Sequence, residues 1–340
     1  MKIALLAPHL RVSGGVRIIL GYASLLALRG HDVTVYVQSS NPIRRAIANF
    51  FHLGYPKWIA NFRARIIRVP QFTPETIVRN DVLIATTHQT ALAIADFSKV
   101  AGRQFYLLQH DEGLYHGSRE LVDRAYRLPQ KKIVVATWLK DLLKEKYGQD
   151  SSLLINPIDR DLFHPVSREK HDGIRILLLD HTYDWKGTAE GVEIVTTLRQ
   201  KHPEIRLIGF GARKEKSEHT FEEYYYNLPQ EKLALLYSNC DIFLCPSWDE
   251  GFGLPSLEAM ACKTAVVTYD NGGSRDFAFH EKTALVVPHR DEKRLNEELE
   301  RMVKDKTLRE RIARGGYEFV STMPTWEEQT TELERILSIQ

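Results

Sequence analysis

Short apolar runs recur from one end of the chain to the other, separated by longer segments with a different rhythm. The runs in the first half are "KIALLA", "DVTVYV", "DVLIAT", "QFYLLQ", "KIVVAT" and "SLLIN". Those in the second half are "IRILLLD", "IRLIGF", "DIFLCP", "TAVVTY" and "ALVVP". Nearly continuous apolar runs predict strands buried on both faces, as in parallel sheets covered by helices. The segments between them, such as "VRIILGYASLLALRG", "TWLKDLLKEKYG" and "QEKLALLYSN", repeat apolar positions every three or four residues and predict helices. This alternation predicts doubly wound α/β units.

One stretch interrupts it. "NPIDRDLFHPVSREKHDG", residues 156–173, carries two prolines and many polar residues before a new run of strands begins. With 340 residues, the chain also exceeds the ~250–300 at which single cores stop growing. Two Rossmann-like domains facing each other across a cleft are expected, 1–165 and 166–324. The tail 325–340 reads as an amphipathic helix whose Leu333, Ile336 and Leu337 need a surface to cover. Ligands of such sheets bind beyond the carboxyl ends of the strands, so the residues just after each strand carry the most functional weight.

Composition changes this picture little. Charged residues make up 26% and no apolar run approaches the ~18 residues that cross a bilayer. The start, "MKIALLAPHL", is too short in its apolar part for a signal peptide and suits a buried first strand. Cys240, Cys245 and Cys262 form an odd set without metal-type spacing and read as buried free thiols, which fits a reducing cytoplasm. Charge is more informative. Residues 1–165 hold 22 Lys+Arg against 13 Asp+Glu, or +9; the rest hold 24 against 31, or −7. A polarised molecule whose first half meets an anionic partner is expected.

Two stretches carry candidate chemistry. "HLRVSGGVRII" follows the first strand, and Gly14 and Gly15 permit close approach of a phosphate to the start of a helix. A strand-to-helix turn also uses glycine for its own sake, and the stretch is not G-x-G-x-x-G. In "CDIFLCPSWDEGFGLPSLEAMAC", a strand leads through a glycine loop into a helix with Pro255 in its first turn. The amides of Phe252, Gly253 and Leu254 would face an anion there. Glu250 lies at the loop mouth and Glu258 about one turn into the helix, where each can accept two hydroxyl donors.

"EGFGLPSLEAMA" resembles the signature of retaining GT-B glycosyltransferases of family four, with two glutamates separated by seven residues. The likeness extends to Gly14 and Gly15, "NPIDRDLFHP", Lys186–Gly187, "LPQEKLALLYSNCD", Gly272–Gly273, "KTALVVP" and the tail "TWEEQTTEL", whose helix in the family crosses back onto the first domain. The resemblance implies that Glu250 faces the donor sugar, Glu258 holds the ribose hydroxyls and Lys186 binds the diphosphate. His110, after "QFYLLQ", matches a histidine beside the reacting sugar. It further implies a nucleotide-diphosphate sugar as donor and transfer with retention, the leaving phosphate oxygen taking the acceptor's proton. Helix N-termini and Lys186 on the phosphate, with Glu250 on the sugar, would stabilise the separating charges.

The pattern departs in places. The family has arginine where His181 stands, and a mostly neutral imidazole lacks the bidentate fork of a guanidinium. Asp276 and Ala284 replace the more common glutamate and glycine. The one D-x-D, Asp159–Arg160–Asp161, falls in the interdomain link and reads as structural, so neither a metal nor another cofactor is expected. Residues 41–70 hold six basic residues, five aromatics and no acid, a composition that suits an anionic membrane surface. It also suits ordinary core helices; nucleic acid is not expected because the fold supplies no matching recognition module. A cytoplasmic enzyme, peripheral on the inner membrane face and glycosylating a glycan or lipid-linked acceptor in cell-surface polysaccharide or glycolipid synthesis, is the leading expectation. The alternatives are a sugar-nucleotide epimerase of the same fold and a non-catalytic binding subunit.

Overall fold

The computed structural model describes residues 1–11, 13–51, 62–97, 101–115, 117–168, 171–212 and 220–338. The chain divides into two units, 1–156 with 326–340, and 157–325. The division falls at the start of the proline-bearing stretch rather than at 165/166. Ile158 and Phe163 are buried, the Phe163 ring meets Tyr237, and the Val166 amide donates to Ser238 Oγ, so the link packs as part of the second unit.

In the first unit, β1 (Lys2–Ala7), α1 (Gly14–Leu28), β2 (Asp32–Gln38), α2 (Pro42–Phe50), β3 (Arg65–Val69), β4 (Asn80–Ala85) and α3 (His88–Ala93) are followed by β5 (Ala101–Leu108), α4 (Arg119–Tyr126), β6 (Lys131–Val134), α5 (Thr137–Tyr147) and β7 (Ser151–Leu153). The strands form one parallel sheet in the order β3-β2-β1-β4-β5-β6-β7. β1 is the expected "KIALLA" run, buried along all but its first residue because helices cover both faces. α5 ends where its sequence dictates. Gly148 adopts φ 64°, and the amides of Gly148 and Gln149 close back onto Lys144 and Leu143, satisfying carbonyls that the helix end would leave orphaned.

β3 was hidden in the basic stretch 41–70. Arg65 and Arg68 break its apolar run, which is permissible because β3 is an edge strand, paired on one side only. α2, ahead of it, has no buried residue: Asn41 caps it, and Ile43, Ile47, Phe50 and Phe51 are exposed. Residues 52–61 of that stretch lie outside the described residues.

The second unit repeats the plan. β8 (Ile174–Asp180), α6 (Thr188–Arg199), β9 (Ile205–Gly211), β10 (Glu223–Tyr226), α7 (Gln230–Ser238), β11 (Ile242–Cys245), α8 (Leu254–Ala261), β12 (Ala265–Tyr269) and β13 (Leu285–Val287) precede α9 (Glu292–Lys304) and α10 (Lys306–Val320). Its parallel sheet runs β10-β9-β8-β11-β12-β13. β10, "EYYY", is a short polar-aromatic edge strand that no apolar run announced. Leu178, Leu244, Val267 and Leu285 of four neighbouring strands pack against Val195 and Leu299 of the covering helices. Full burial of each such side chain is worth about 1.5–3 kcal/mol.

Both sheets reverse their strand order once, between β1 and β4 in the first and between β8 and β11 in the second. That switch point opens a crevice past the carboxyl ends of the strands in each unit. The last helix, α11 (Trp326–Ser338), belongs to the first unit. Its Leu333, Ile336 and Leu337 are buried, and Trp326 meets the Tyr22 ring edge-on at 5.2 Å. Gly21 of α1 makes room for that indole: a Cβ there would lie 2.5 Å from Trp326 Cη2. Arg29 closes the contact through Thr331 and Glu334.

Candidate active site

The switch point of the second unit gathers most of the expected residues. After β8 the chain forms a single 3₁₀ turn, Asp184–Lys186, which Gly187 ends at φ 66°. A Cβ on Gly187 would lie 2.2 Å from the Pro246 carbonyl oxygen, so only glycine brings this turn against the end of β11. Lys186 projects from it, and its Nζ lies 2.7 Å from Glu250 Oε1. The two side chains are 18% and 9% exposed. A lysine and a glutamate distant in sequence thus meet as a largely desolvated pair, where charge interactions exceed their aqueous strength severalfold.

Glu250 is held by its backbone. Its amide donates to the Asn271 carbonyl at 2.9 Å, and it bridges Gly272 in parallel register beyond β12. Gly273 is obligatory for this contact, since a Cβ would stand 2.7 Å from both the Glu250 carbonyl oxygen and the Phe252 amide. Phe252 is buried against Phe277. Gly253, at φ 91°, caps α8 without a side chain of its own, and Pro255 occupies the first turn. Leu254 begins that helix, so the N–H groups from Phe252 to Leu254 stand at its positive end.

Glu258 lies one turn further into α8. It is 3% exposed, so it is not a solvated surface carboxylate, and it accepts from Tyr237 Oη at 3.4 Å. His181 follows β8 and is half-buried. Its Nδ1 accepts from the Tyr183 amide at 3.1 Å, so the neutral ring carries its proton on Nε2. The position therefore offers one N–H donor in place of an arginine fork.

The first unit brings together the other three residues. Gly14 and Gly15 open α1, whose Ser13 cap accepts from the Val16 amide at 3.3 Å. Gly15 also packs under Gln109, whose side-chain amide donates to the Gly15 carbonyl at 3.2 Å. Gly15 thus seats the residue next to His110. His110 Nδ1 donates to the Asp111 carbonyl at 2.9 Å, leaving Nε2 as the acceptor of the neutral ring. Trp138 and Tyr115 stand edge-on around it.

Two clusters were not anticipated. Below His110, Glu112 accepts from His88 Nδ1 at 2.7 Å, from the His88 amide and from Tyr106. Asp111 accepts from Arg119 at 3.0 Å and from Tyr126 at 3.2 Å. Burial and the neighbouring carboxylates hold the Tyr106 and Tyr126 hydroxyls well above their ordinary range, so both remain donors. His88 comes two residues after "DVLIAT", and that place just beyond a strand is the signal by which its sequence could have drawn notice. In the second unit, Glu190 of α6 accepts from Trp248 Nε1 at 3.0 Å and from the Tyr269 hydroxyl.

Asp159–Arg160–Asp161 lies in a turn of the second unit. Asp159 Oδ1 accepts from the Leu162 amide and its carbonyl from Phe163, while Arg160 donates to the Ser321 carbonyl. Among the described residues, no group of three or more His, Cys, Asp or Glu side chains is arranged to hold a metal ion. Likewise, no described helix is long and apolar enough to cross a membrane.

Residues 159–319, almost the whole second unit, match the family described as Glycosyl transferases group 1. Over 156 residues the chain is 26% identical to a capsular polysaccharide biosynthesis glycosyltransferase, CapM, of Staphylococcus aureus, covering 42% of this chain and 41% of that one. The chain spans less than half the length of the first curated relatives it matches. Solved structures resemble it over nearly its full length. A sucrose-phosphate synthase from Thermosynechococcus elongatus superposes with a TM-score of 0.78 at 17% identity, covering 98% of each chain. Anabaena HepE in complex with UDP-glucose does so with a TM-score of 0.78 at 16% identity, covering 99% of each. At such identities the likeness speaks to the fold. The chain has the GT-B fold of two Rossmann-like domains, and its second unit matches the glycosyl transferases group 1 family.

Proposed function

We propose that this protein is a retaining glycosyltransferase that moves a sugar from a nucleotide-diphosphate donor to a glycan or lipid-linked acceptor without a metal ion. The observation that carries the reading is the Lys186–Glu250 pair, 2.7 Å apart at the switch point of the second unit and beside the N-terminus of α8. Support comes from the family match and from the UDP-glucose that HepE, of the same fold, binds.

The chemistry follows from charge. Breaking the bond between the anomeric carbon and the diphosphate oxygen builds positive charge on the sugar ring and negative charge on the leaving group. Lys186, the first-turn amides of α8 and the His181 Nε2–H act on the phosphates; Gly14 and Gly15 form the corresponding helix start in the first unit. Glu250, released from Lys186 as the lysine turns to the phosphate, steadies the ring. The acceptor oxygen bonds to the anomeric carbon from the face the diphosphate leaves, and its proton passes to the departing phosphate oxygen. Glu258 holds ribose hydroxyls, and His110 contacts the reacting sugar. In this scheme a divalent cation has no remaining task, since lysine and helix dipole meet the developing phosphate charge.

Incubation with UDP-, GDP- and dTDP-sugars tests the reading. Donor cleavage or transfer that persists in EDTA supports it. Interconversion of the sugar would instead identify an epimerase, and no turnover of any donor a binding subunit.

The finer placement of the enzyme, on the cytoplasmic face of a membrane, rests on α2. Ile43 and Phe50 are 71% and 78% exposed, and Arg44 and Arg45 stand beside them. That combination suits anionic headgroups above an acyl boundary. Sedimentation with phosphatidylglycerol vesicles at low salt is the test; a protein left in the supernatant refutes the docking.

A further inference from the structure

We propose that Glu190 is a positioning residue that holds Lys186 and Glu250 in register, an inference that rests on the donor-site reading above. Lys186 and Glu250 arrive on loops that follow two different strands, β8 and β11, and the Glu250 backbone is anchored to a third loop after β12. A 2.7 Å contact between side chains on separate loops needs those loops fixed to each other. Glu190 reaches all three.

It stands in the first turn of α6, four residues past Lys186, where a helix N-terminus favours a carboxylate. One oxygen accepts from Trp248 Nε1 at 3.0 Å; Trp248 lies two residues ahead of Glu250. The other accepts from the Tyr269 hydroxyl; Tyr269 ends β12, two residues ahead of Asn271, whose carbonyl receives the Glu250 amide. A further bond ties the loops directly, from the Trp248 amide to the Trp185 carbonyl at 2.8 Å, beside Lys186. The Arg290 guanidinium lies 3.8 Å above the Trp248 ring and closes its outer face. One carboxylate therefore links the Lys186 turn, the Glu250 loop and the Asn271–Gly273 turn.

Glu190 need not touch the donor for this to matter. Reacting groups displaced by about 1 Å lose on the order of 10²-fold in rate, and the supporting shell sets that distance. Glu190→Ala removes both acceptors and leaves the loops tied only by the Trp248–Trp185 and Glu250–Asn271 backbone bonds. Glu190→Gln keeps one carbonyl oxygen and so one of the two ties.

The test compares the full-length wild type with Glu190→Ala, Glu190→Gln and Val303→Ala, a core change in α9 that lowers thermal stability and lies outside these three loops. Donor cleavage is measured with UDP-glucose, GDP-mannose and dTDP-glucose, well below every unfolding midpoint. Glu190→Ala is expected to lose about 10- to 100-fold in kcat with donor KM changed by less than about threefold. Glu190→Gln should recover part of that loss, and Val303→Ala should keep the wild-type kcat. A Glu190→Ala enzyme with wild-type kcat, or with no more loss than Val303→Ala, overturns the proposal. A crystal structure of Glu190→Ala judges positioning without turnover. Separation of Lys186 Nζ from Glu250 Oε1 beyond hydrogen-bond reach supports it, and a retained 2.7 Å contact overturns it. If the wild type cleaves no donor, the donor-site reading fails, and the crystal structure alone decides the role of Glu190.

Discussion

Lys186 and Glu250 are separated by 64 positions in the sequence and by 2.7 Å in space. They form an ion pair in a place where water reaches little of either side chain. The pair is thus both a structural element and, in the proposed reaction, the source of two opposite charges. Those two duties can be separated by mutation.

Glu250→Gln and Lys186→Met should each lower donor turnover by about 10²–10³-fold, the usual cost of losing a group aimed at transition-state charge. Each should also destabilise the fold by about 1–3 kcal/mol, since the remaining charge loses the counterpart it was buried against. The double variant should cost less than the sum in chemical denaturation, because it strands neither charge. Strictly additive losses would mean that the pair is not coupled.

His181→Arg should tighten binding of a nucleoside diphosphate about 3- to 30-fold, since a guanidinium offers a charged fork where the imidazole offers one N–H. Calorimetric titration with UDP and GDP measures this. An unchanged affinity for both nucleotides would remove His181 from the phosphate site.

Gly187 and Gly148 share a left-handed backbone, φ 66° and 64°, and differ in what surrounds them. Alanine at Gly148 meets open space and should cost about 1–2 kcal/mol of backbone strain. Alanine at Gly187 meets the Pro246 carbonyl at 2.2 Å, so its cost should exceed that by about 1–3 kcal/mol of steric displacement. It should also abolish turnover, because the displaced turn carries Lys186. Thermal unfolding of the two variants side by side checks the order.

Burial pushes the Lys132 ammonium down to about 8 while its Nζ donates to the Leu128 and Gln130 carbonyls. In the unfolded chain it returns to its ordinary 10.5. The folded state then binds fewer protons between pH 8 and 10.5, so this group makes stability rise with pH across that window, by up to about 1.4 kcal/mol per unit. Cys240 and Cys262 act in the opposite sense above pH 9, because burial pushes both thiols up to about 12. Denaturant melts of wild type and Lys132→Met at about pH 7.5 and about pH 9.5, on either side of the folded value, isolate the lysine. The gap between the two proteins should move in favour of the wild type at the higher pH.

The same thiols supply a simple check of the second unit. Cys240, Cys245 and Cys262 are all free and buried. With a disulfide reagent at about pH 8, the native protein should react far more slowly than the guanidine-unfolded chain, whose three thiols should react at once. Fast native reaction of one thiol would show that β11 or the end of α8 opens readily.

Much of this organisation was legible in the sequence because it is local. Every apolar run that predicted a strand overlaps one, "TWLKDLLKEKYG" ends on its glycine, and "EGFGLP" turns into α8 where its glycines and proline require. β3 and β10 escaped because edge strands need only one packed side, so arginines and tyrosines break the apolar signal. The resemblance carried by the two glutamates lies in that same loop and is local for the same reason. What the tertiary structure alone decided is which distant residues meet. Strand order puts β8 beside β11, and only that neighbourhood brings Lys186 to Glu250 and lets Glu190 reach Trp248 and Tyr269. The set around Glu112 arises likewise, from α3, β5 and α4 converging. Periodicity and turn chemistry act over a few residues and can be read along the chain. The pairing of charges across loops depends on sheet topology and close approach of backbones, which no single stretch of sequence records.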